Sequence, residues 1–339
     1  MMEANKSILY IGNNLIKKTK YSTTMSTLSY LLELENYFVI KSSSKVNKLF
    51  RLLDMCFSVI KYSNRVDFVL IDTFSTSNFY YALCTSQIAR VLKIKYIPIL
   101  HGGNLPERLD KSKRLSNLIF KNSYKNVAPS NYLKTAFEER NYPTIYVPNI
   151  LEIEKYKFQK RINLTPKLLW VRAFKHLYNP MLAVEVLNLL KKEFPNANLC
   201  MVGPQIDSSF EDTKKLVKKY NLEDSVEFTG VLSKDNWHKK SREFDIFINT
   251  TNFDNTPVSV MEAMALGLSV VSTNVGGMPF LINNNVDGIL VDKENPIQMS
   301  KAILNLLNSN NQEIIKNARL KAESFGWNVV KEKWNSILV

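Results

Sequence analysis

Short apolar runs alternate with longer amphipathic runs over nearly the whole chain. In the first half the strand-like runs are SILYIG, YFVIKSS, DFVLID, KYIPIL, NVAPS and IYVPN, and amphipathic stretches such as STLSYLLELEN and FYYALCTSQIARVLK lie between them. The second half continues with KLLWVRA, NLCMVG, VEFTG, DIFINT, LSVVSTN and GILV. Such alternation predicts parallel sheets with helices on both faces. About six strands in each half favour two doubly wound domains over one barrel.

The segment 148–167, PNILEIEKYKFQKRINLTPK, separates these two halves. It is charged, carries a proline near each end and precedes a new buried-strand pattern. We therefore predict an N-terminal domain over 1–155 and a C-terminal domain over 156–322. The tail reads as a last amphipathic helix within 323–339, with Trp327, Val330 and Trp334 on one face. We expect this helix to pack back toward the N-terminal domain.

Composition limits the class of protein. The chain has 339 residues, of which 45% are hydrophobic, but no apolar run reaches the roughly 20 residues of a membrane span. The first residues lack the basic region, apolar core and cleavage site of a signal peptide. Cys56, Cys84 and Cys200 are unclustered, which argues against a disulfide scaffold or a zinc site. We expect a reduced, cytoplasmic protein.

The charge is unevenly distributed. Residues 1–150 contain 21 Lys and Arg against 10 Asp and Glu, whereas residues 151–339 contain 24 against 21. Such asymmetry indicates either an acidic partner (nucleic acid, an anionic membrane surface or a phosphorylated substrate) or only a solvated basic surface. The basic residues are dispersed, with neither zinc-finger spacing nor a ribonucleoprotein aromatic motif, so we predict no nucleic-acid partner.

One apolar segment, NFDNTPVSVMEAMALGLSVVSTNVGG (252–277), carries two carboxylates around a proline. The pattern predicts a loop, a helix over VSVMEAMAL and a strand, with Gly267 ending the helix. Pro257 is expected in the first turn, with residue 255 or 256 as the cap. Asp254 then lies in the loop and Glu262 in the second turn of the helix.

This arrangement suits a phosphorylated sugar ligand. In open parallel sheets ligands bind beyond the carboxyl ends of the strands, and a helix N-terminus favours phosphate. The backbone N–H groups near Pro257 and Val258 could hold a diphosphate, with Asp254 and Glu262 accepting hydrogen bonds from sugar hydroxyls on either side. The alternative is an aspartate near a helix cap and a solvated glutamate.

The stretch DNTPVSVMEAMALGLSVVSTNVGGMP resembles the signature of retaining glycosyltransferases of family four, which have the GT-B fold. The motifs HGGN, APSNYLK, YVPNI, WVRAFKHLYNP, MVGP, VEFTGVL and FDIFINTT follow in the family's order, so the resemblance covers most of residues 95–295. It implies two Rossmann-like doubly wound domains facing a central cleft. The chain shows no Asp-x-Asp motif, and the resemblance implies no metal ion and no other cofactor.

The implied activity is retaining transfer of a sugar from a nucleotide-diphosphate donor to a carbohydrate or lipid-linked acceptor. The family setting suggests surface polysaccharide or glycolipid synthesis. The alternative is another GT-B enzyme, such as a nucleotide-sugar epimerase or a sugar-phosphate synthase, which would share the nucleotide site.

The resemblance also implies roles for single residues of the C-terminal half. Glu262 would accept hydrogen bonds from the ribose hydroxyls. Asp254, which stands where the family usually has Glu, would contact hydroxyls of the donor sugar. The backbone at Pro257 and Val258 would face the β-phosphate. Arg172 matches the arginine that grips the diphosphate, and a guanidinium suits phosphate oxygens; the alternative is an arginine in a surface salt bridge.

Two further residues complete the predicted catalytic set. The family lysine five residues after Arg172 is replaced by Leu177. Lys175 either substitutes for it from another backbone position or is an ordinary solvated lysine. His101, in ILHGGN, is placed by the resemblance near the sugar and the acceptor hydroxyl, whereas a lone histidine can also be purely structural.

Small or apolar residues complete the predicted donor site. Gly12 ends the first strand where the N-terminal domain should approach the diphosphate, although the following loop, IKKTKYS (16–22), lacks the family's glycines. Val231, in FTGVL, would offer backbone groups to the base. Gly276 and Gly277 either allow a tight loop near the donor or form a simple turn.

The resemblance also suggests a function for the excess of basic residues in the N-terminal half. We predict a single helix over PERLDKSKRLSNLIFKNSYK (106–125) that lies on an anionic membrane and reaches a lipid-linked acceptor. The protein would then be cytoplasmic and peripheral on the inner face of the membrane.

Overall fold

The computed structural model describes residues 6–14 and 23–339, so the predicted loop at 16–22 lies outside the described residues. The chain forms two units. Unit 1 extends to Ile150 and also includes Trp327–Val339, and unit 2 is Leu151–Gly326.

Unit 1 contains one six-stranded parallel sheet, in the order β2-β1-β3-β4-β5-β6. Its strands coincide with the six apolar runs of the first half: β1 Ser7–Ile11, β2 Phe38–Ser42, β3 Phe68–Thr73, β4 Lys95–Leu100, β5 Asn126–Ala128 and β6 Thr144–Tyr146. The predicted fold class is confirmed for this half.

Helices cover both faces of this sheet: α1 Thr24–Leu34, α2 Lys48–Lys61, α3 Asn78–Val91, α4 Leu105–Lys111, α5 Lys113–Phe120 and α6 Asn131–Glu138. Side chains of one strand point alternately to the two faces. Leu9 and Ile11 accordingly enter one core cluster, and Ile8 and Tyr10 enter the other. Polar side chains fix several helix starts; for example, Ser130 accepts a hydrogen bond from the Leu133 amide at the start of α6.

The single helix predicted over 106–125 is wrong. The chain breaks at Ser112 (φ −131°, ψ 44°) into α4 and α5, and the second helix ends at Phe120. Leu105, Leu109 and Ile119 are buried in the core of unit 1. The apolar side chains of these helices are therefore used for internal packing, which the local pattern of the sequence does not show.

Unit 2 contains a second six-stranded parallel sheet, in the order β12-β11-β10-β7-β8-β9. Its strands again match the predicted runs: β7 Lys167–Val171, β8 Asn198–Val202, β9 Val226–Gly230, β10 Ile246–Asn249, β11 Ser269–Thr273 and β12 Ile289–Val291. Seven helices of unit 2 flank this sheet: α7 Pro180–Leu190, α8 Ser209–Lys219, α9 Lys234–Lys240, α10 Val258–Leu266, α11 Met278–Leu281, α12 Pro296–Leu307 and α13 Gln312–Glu323. Here too a core cluster lies on each face.

The last helix, α14 Trp327–Ile337, belongs to unit 1. Val330 and Trp334 are buried in the core cluster that contains Ile8 and Tyr10, and Trp327 packs against that cluster. The predicted apolar face of this helix is confirmed.

The strand order creates one topological switch point in each sheet. In unit 1 the chain leaves β1 for β2 on one side and returns as β3 on the other side of β1. In unit 2 it leaves β7 for β8 and β9 and returns as β10 on the other side of β7. Loops diverge at the carboxyl ends of these strand pairs, which is where doubly wound sheets bind ligands.

Among the helices in the described part of the chain, none combines the length and the apolar character needed to cross a bilayer.

Candidate active site

The switch point of unit 2 brings two predicted site residues together. Arg172 follows the end of β7, and Asp254 lies in the loop after β10. An Nη2 hydrogen of Arg172 is donated to Oδ2 of Asp254, and the guanidinium also lies 4.2 Å from the centre of the Tyr178 ring. The two side chains are mostly buried, with 23% and 12% of their surfaces exposed. The predicted arginine and the first carboxylate thus form one ion pair.

The electrostatics of this pair are set by burial. Burial raises the pKa of the Asp254 carboxyl above its ordinary value, while the Arg172 charge and the hydrogen bond from the Asn255 amide act in the opposite direction. Nε of Arg172 is buried and has no hydrogen-bond partner among the described residues. Since buried N–H groups are normally satisfied, this donor is suited to an anionic ligand.

Helix α10 begins beside this pair at Val258 and ends at Leu266, the bounds that the sequence predicted. Pro257 is the N-cap residue, with φ −68° and ψ 121°, and no side chain caps the helix. The predicted placement of Pro257 in the first turn, and of residue 255 or 256 as its cap, is therefore wrong: the extended backbone at Pro257 delays the helix until Val258. Gly267 ends the helix at φ 80°, as predicted. The uncapped first turn leaves backbone N–H groups suited to an anion.

Glu262 is 4% exposed and already has two partners. Its Oε1 accepts a hydrogen bond from the Tyr156 hydroxyl at 2.8 Å and forms an ion pair with Lys234, whose Nζ lies 2.9 Å away. Burial, together with the Glu262 charge, raises the pKa of the Tyr156 hydroxyl. No described residue donates to Oε2 of Glu262, so that oxygen can accept a further hydrogen bond.

His238 packs against this cluster. Its ring centre lies 4.6 Å from that of Tyr156 and 4.6 Å from that of Trp237. Burial lowers the pKa of His238, and the nearby Glu262 carboxylate opposes this effect. Its Nε2 is buried without a hydrogen-bond partner in the described part of the chain.

The two glycines after β11 hold the loop that carries Asp254. Gly276 has φ +53°, and a Cβ there would lie 2.2 Å from the backbone oxygen of Asp254. A Cβ on Gly277 would lie 1.6 Å from the backbone oxygen of Asn255, and the Gly277 amide donates a hydrogen bond to the Asp254 carbonyl. Only glycine fits where these two loops pass each other. The predicted tight loop is present, and its close contact is with the 254–255 backbone.

For two other predicted residues of unit 2, Lys175 and Val231, the structure shows no side-chain contact that indicates a role. Lys175 is half-buried ahead of the short turn His176–Tyr178, and its side chain forms neither a hydrogen bond nor an ion pair with any described residue. Val231 follows β9 and is 48% exposed. The assignments of Lys175 to the diphosphate and of Val231 to the base stay predictions.

The switch point of unit 1 holds the other two predicted residues. Gly12 follows β1, and a Cβ there would lie 2.5 Å from Oδ2 of Asp72 at the end of β3. His101 follows β4, and its Nε2 lies 2.9 Å from Oδ1 of Asp72. The same carboxylate oxygen accepts a hydrogen bond from the Tyr10 hydroxyl at 2.9 Å, and the His101 ring stacks on Phe74. Gly12 and His101 therefore converge on a carboxylate that was not predicted.

Sequence reasoning missed Asp72, Tyr156 and Lys234. Asp72 left one signal, since it is the polar residue at the end of the buried run DFVLID, where parallel strands present ligand-binding groups. Tyr156 lies in the segment 148–167, which was predicted to separate the two domains, and Lys234 lies in an exposed helix. Neither has a spacing that points to Glu262.

These two doubly wound units, each with a polar cluster at its switch point, define a two-domain α/β fold of the GT-B type. The structure of Anabaena HepE (Alr3699) in complex with UDP and glucose has the same fold, with a TM-score of 0.75 over 98% of this chain and 99% of that chain, at 16% identity.

The family model described as Glycosyl transferases group 1 matches residues 152–321, half of the chain. This protein belongs to that family, which confirms the resemblance. An uncharacterized glycosyltransferase of Haemophilus influenzae is 28% identical over 208 residues, which are 60% of this chain and 56% of that relative. The amylovoran biosynthesis glycosyltransferase AmsK of Erwinia amylovora is 28% identical over 186 residues, 48% of this chain and 46% of AmsK. The chain thus spans about half the length of these curated relatives.

Proposed function

We propose that this protein is a glycosyltransferase that moves a sugar from a nucleotide-diphosphate donor to a carbohydrate or lipid-linked acceptor. The observation that carries the proposal is the switch point of unit 2, where Arg172 lies beside the uncapped start of α10 and Glu262 keeps one oxygen free of protein donors. Family membership supports it. AmsK is named for the synthesis of a polysaccharide, amylovoran, so we propose surface polysaccharide or glycolipid synthesis as the setting.

In this proposal unit 2 binds the donor. The diphosphate meets the Arg172 guanidinium and the backbone N–H groups of the first turn of α10, which begin at Val258 because Pro257 has no N–H to donate. A preorganised cation and the helix dipole favour negative charge there. Oε2 of Glu262 accepts a hydrogen bond from a ribose hydroxyl. The Asp254 carboxylate accepts a hydrogen bond from a hydroxyl of the sugar.

The remaining predicted residues have supporting roles. Lys175 is a second cation for the diphosphate, and the backbone at Val231 meets the base. Gly276 and Gly277 keep the Asp254 loop in place, because no side chain fits at either position. Gly12 and His101, in unit 1, keep the roles that the resemblance implies: Gly12 allows backbone approach to the diphosphate, and His101 lies near the sugar and the acceptor hydroxyl.

The proposed reaction retains the configuration at the anomeric carbon. The bond from this carbon to the β-phosphate oxygen breaks, and the acceptor oxygen bonds to the same face of the sugar. The acceptor proton passes to the departing phosphate oxygen. Arg172 and the α10 N-terminus stabilise the charge that builds on this group, a role that needs no metal ion; one such donor is typically worth about 10²–10³ in rate. An inverted product detected by anomeric NMR, or activity abolished by EDTA, would contradict these details.

The donor site is tested by calorimetric titration of UDP, GDP, ADP and dTDP into wild type, Glu262→Gln and Glu193→Gln. Glutamine keeps the shape of Glu262 and removes its charge, so we expect at least about tenfold weaker binding of the preferred nucleotide, as for loss of a charged hydrogen bond. Glu193 is an exposed glutamate of unit 2 without an ion pair among the described residues, so its variant should match wild type. If no nucleotide binds, or if Glu262→Gln binds equally well, the proposed donor site is wrong.

We also propose that the protein is cytoplasmic and associates peripherally with an anionic membrane through the basic unit 1. The excess of Lys and Arg over residues 1–150 supports this proposal.

The alternative function is distinguished from transfer by its substrates. A GT-B epimerase or sugar-phosphate synthase would turn over the nucleotide-sugar without a second carbohydrate acceptor.

A further inference from the structure

Helix α2 of unit 1 turns its apolar face to the solvent. Its large apolar residues are each between 54% and 64% exposed: Leu49, Phe50, Leu53, Phe57 and Ile60. At 3.6 residues per turn these five positions fall within an arc of about 100°. We call them the α2 stripe. An amphipathic helix of a water-soluble domain normally buries such a face, and a contiguous exposed patch marks an interaction site.

The opposite face of α2 is fixed to unit 1, so the helix is not free to rotate. Met55 and Val59 are buried in the core. Arg51 is also buried, and its guanidinium donates to the carbonyl oxygens of Lys45 at 2.7 Å and Val46 at 2.9 Å and to the side chain of Asn13 at 2.9 Å. A polar side chain therefore lies on the inner face while the stripe lies outside.

The chain ahead of α2 extends this surface. Val46 is 54% exposed, and the loop 45–47 together with Phe50, Leu53 and Phe57 lines a shallow groove of about 470 Å³. One cation, Lys45, and one carboxylate, Asp54, are among its lining residues. The apolar surface is thus broader than one helical stripe.

Cations flank the stripe without forming ion pairs. Lys45, Lys61 and Arg65 are exposed, and none forms an ion pair within the described residues. Residues 41–65 contain six Lys or Arg and a single acidic residue, Asp54, which accepts a hydrogen bond from the Ser43 hydroxyl. An apolar strip of Leu and Phe bordered by cations fits the boundary between acyl chains and anionic headgroups.

We propose that α2 lies on an anionic lipid bilayer, with the α2 stripe inserted at the level of the upper acyl chains and the flanking cations against lipid phosphates. This inference rests on the membrane association proposed above and assigns it to a surface. It replaces the segment 106–125, whose helices α4 and α5 use their apolar residues inside unit 1.

The test is co-sedimentation with phosphatidylcholine vesicles that contain or lack phosphatidylglycerol, at low and high salt. Wild type should sediment with the anionic vesicles, less so at high salt and far less with neutral ones. Leu53→Gln/Phe57→Gln removes apolar surface that is already exposed, so the protein should fold normally. We expect it to lose at least about tenfold in vesicle affinity.

The matched control is Ile297→Gln/Leu320→Gln, which removes two side chains of unit 2 that are 58% and 53% exposed. It should sediment like wild type. A second variant, Lys45→Gln/Lys61→Gln, should weaken binding to anionic vesicles and leave binding to neutral vesicles unchanged.

The other outcomes overturn the inference in distinguishable ways. If Leu53→Gln/Phe57→Gln binds as well as wild type, the α2 stripe is not the contact, although membrane association stands. If wild type does not sediment even at low salt, both membrane proposals fail. If light scattering shows a dimer that this variant dissociates, a second copy covers the stripe instead. Nucleotide titration of the same variant reports on the donor site separately, because that site lies in unit 2.

Discussion

Asp72 connects two side chains at the end of β3. Its Oδ1 meets both the Tyr10 hydroxyl and Nε2 of His101 at 2.9 Å. A carboxylate can only accept, so a neutral His101 would carry its proton on Nε2 and leave Nδ1 as an acceptor. In the proposed function, Asp72 is therefore a positioning residue that selects the tautomer in which His101 would face its ligand.

The variant Asp72→Asn tests this role. The asparagine amide can donate to Nε2, which would shift the proton of His101 to Nδ1. We expect kcat to fall by about tenfold, the cost of one lost hydrogen bond between His101 and its proposed ligand, while nucleotide affinity stays unchanged because the proposed donor site is in unit 2. Nitrogen NMR shifts of His101 would report the tautomer directly.

The control for this experiment is Tyr10→Phe, which removes only the hydroxyl that donates to the same oxygen. It should leave both the tautomer and kcat close to wild type. Equal losses in Tyr10→Phe and Asp72→Asn, with an unchanged tautomer, would reduce Asp72 to a packing role.

At the scale of elements, the loop before α10 depends on the loop after β11. Gly277 has φ −83°, which any residue can adopt, so its neighbour is the sole obstacle to a side chain: a Cβ would lie 1.6 Å from the Asn255 carbonyl oxygen. Gly277→Ala must therefore displace residues 254–255. We expect at least about tenfold weaker nucleotide binding, measured calorimetrically, and a stability loss in the range of about 1–3 kcal/mol typical of overpacking.

Gly326→Ala is the matched control in the same unit. Its added Cβ would lie 3.0 Å from the Glu323 carbonyl oxygen, a contact that a small shift relieves. This variant should bind nucleotide like wild type. Wild-type binding by Gly277→Ala as well would show that the Asp254 loop does not need its present position.

The elements themselves were largely predictable from the sequence, because strands and helices of doubly wound domains carry strong local patterns. The run VSVMEAMAL and the glycine after it gave the bounds of α10 correctly. The wrong predictions concern segments whose conformation depends on tertiary packing. The apolar residues of 106–125 could equally face lipid or core, and only the packed unit shows that the chain breaks at Ser112.

The site was predictable in part. Arg172, Asp254 and Glu262 were found through the resemblance, but their partners were not. Arg172 and Asp254 meet because β10 returns beside β7, and strand order leaves no mark in a local pattern. The ion pair between Lys234 and Glu262 was equally unpredictable, because Lys234 lies in an exposed helix and the local pattern does not link it to Glu262.

At the scale of the whole molecule, His238 makes stability depend on pH. Burial lowers its pKa, so near pH 6 the unfolded chain binds a proton that the folded protein disfavours. This contribution to stability is present above the ordinary histidine pKa and is lost as the pH falls below it. We expect the melting temperature to fall between about pH 7 and pH 5, and His238→Gln to reduce that fall, by at most about 1.4 kcal/mol for each unit of pKa displacement.

Wild type and His238→Gln share every other titratable side chain, so the difference between their pH profiles isolates this effect from the titration of other groups. An identical pH dependence in wild type and His238→Gln would show that burial of this ring has no energetic consequence for folding.

Helix α14 has a consequence for how the protein is made. Its residues Val330, Trp334 and Ile337 complete the core around β1, yet all of unit 2 is encoded between the two parts of unit 1. The sheet of unit 1 is therefore synthesised before unit 2, but its core cannot be completed until residues 330–337 have also been made. The unit whose synthesis begins first is thus the last to have its whole core available for packing.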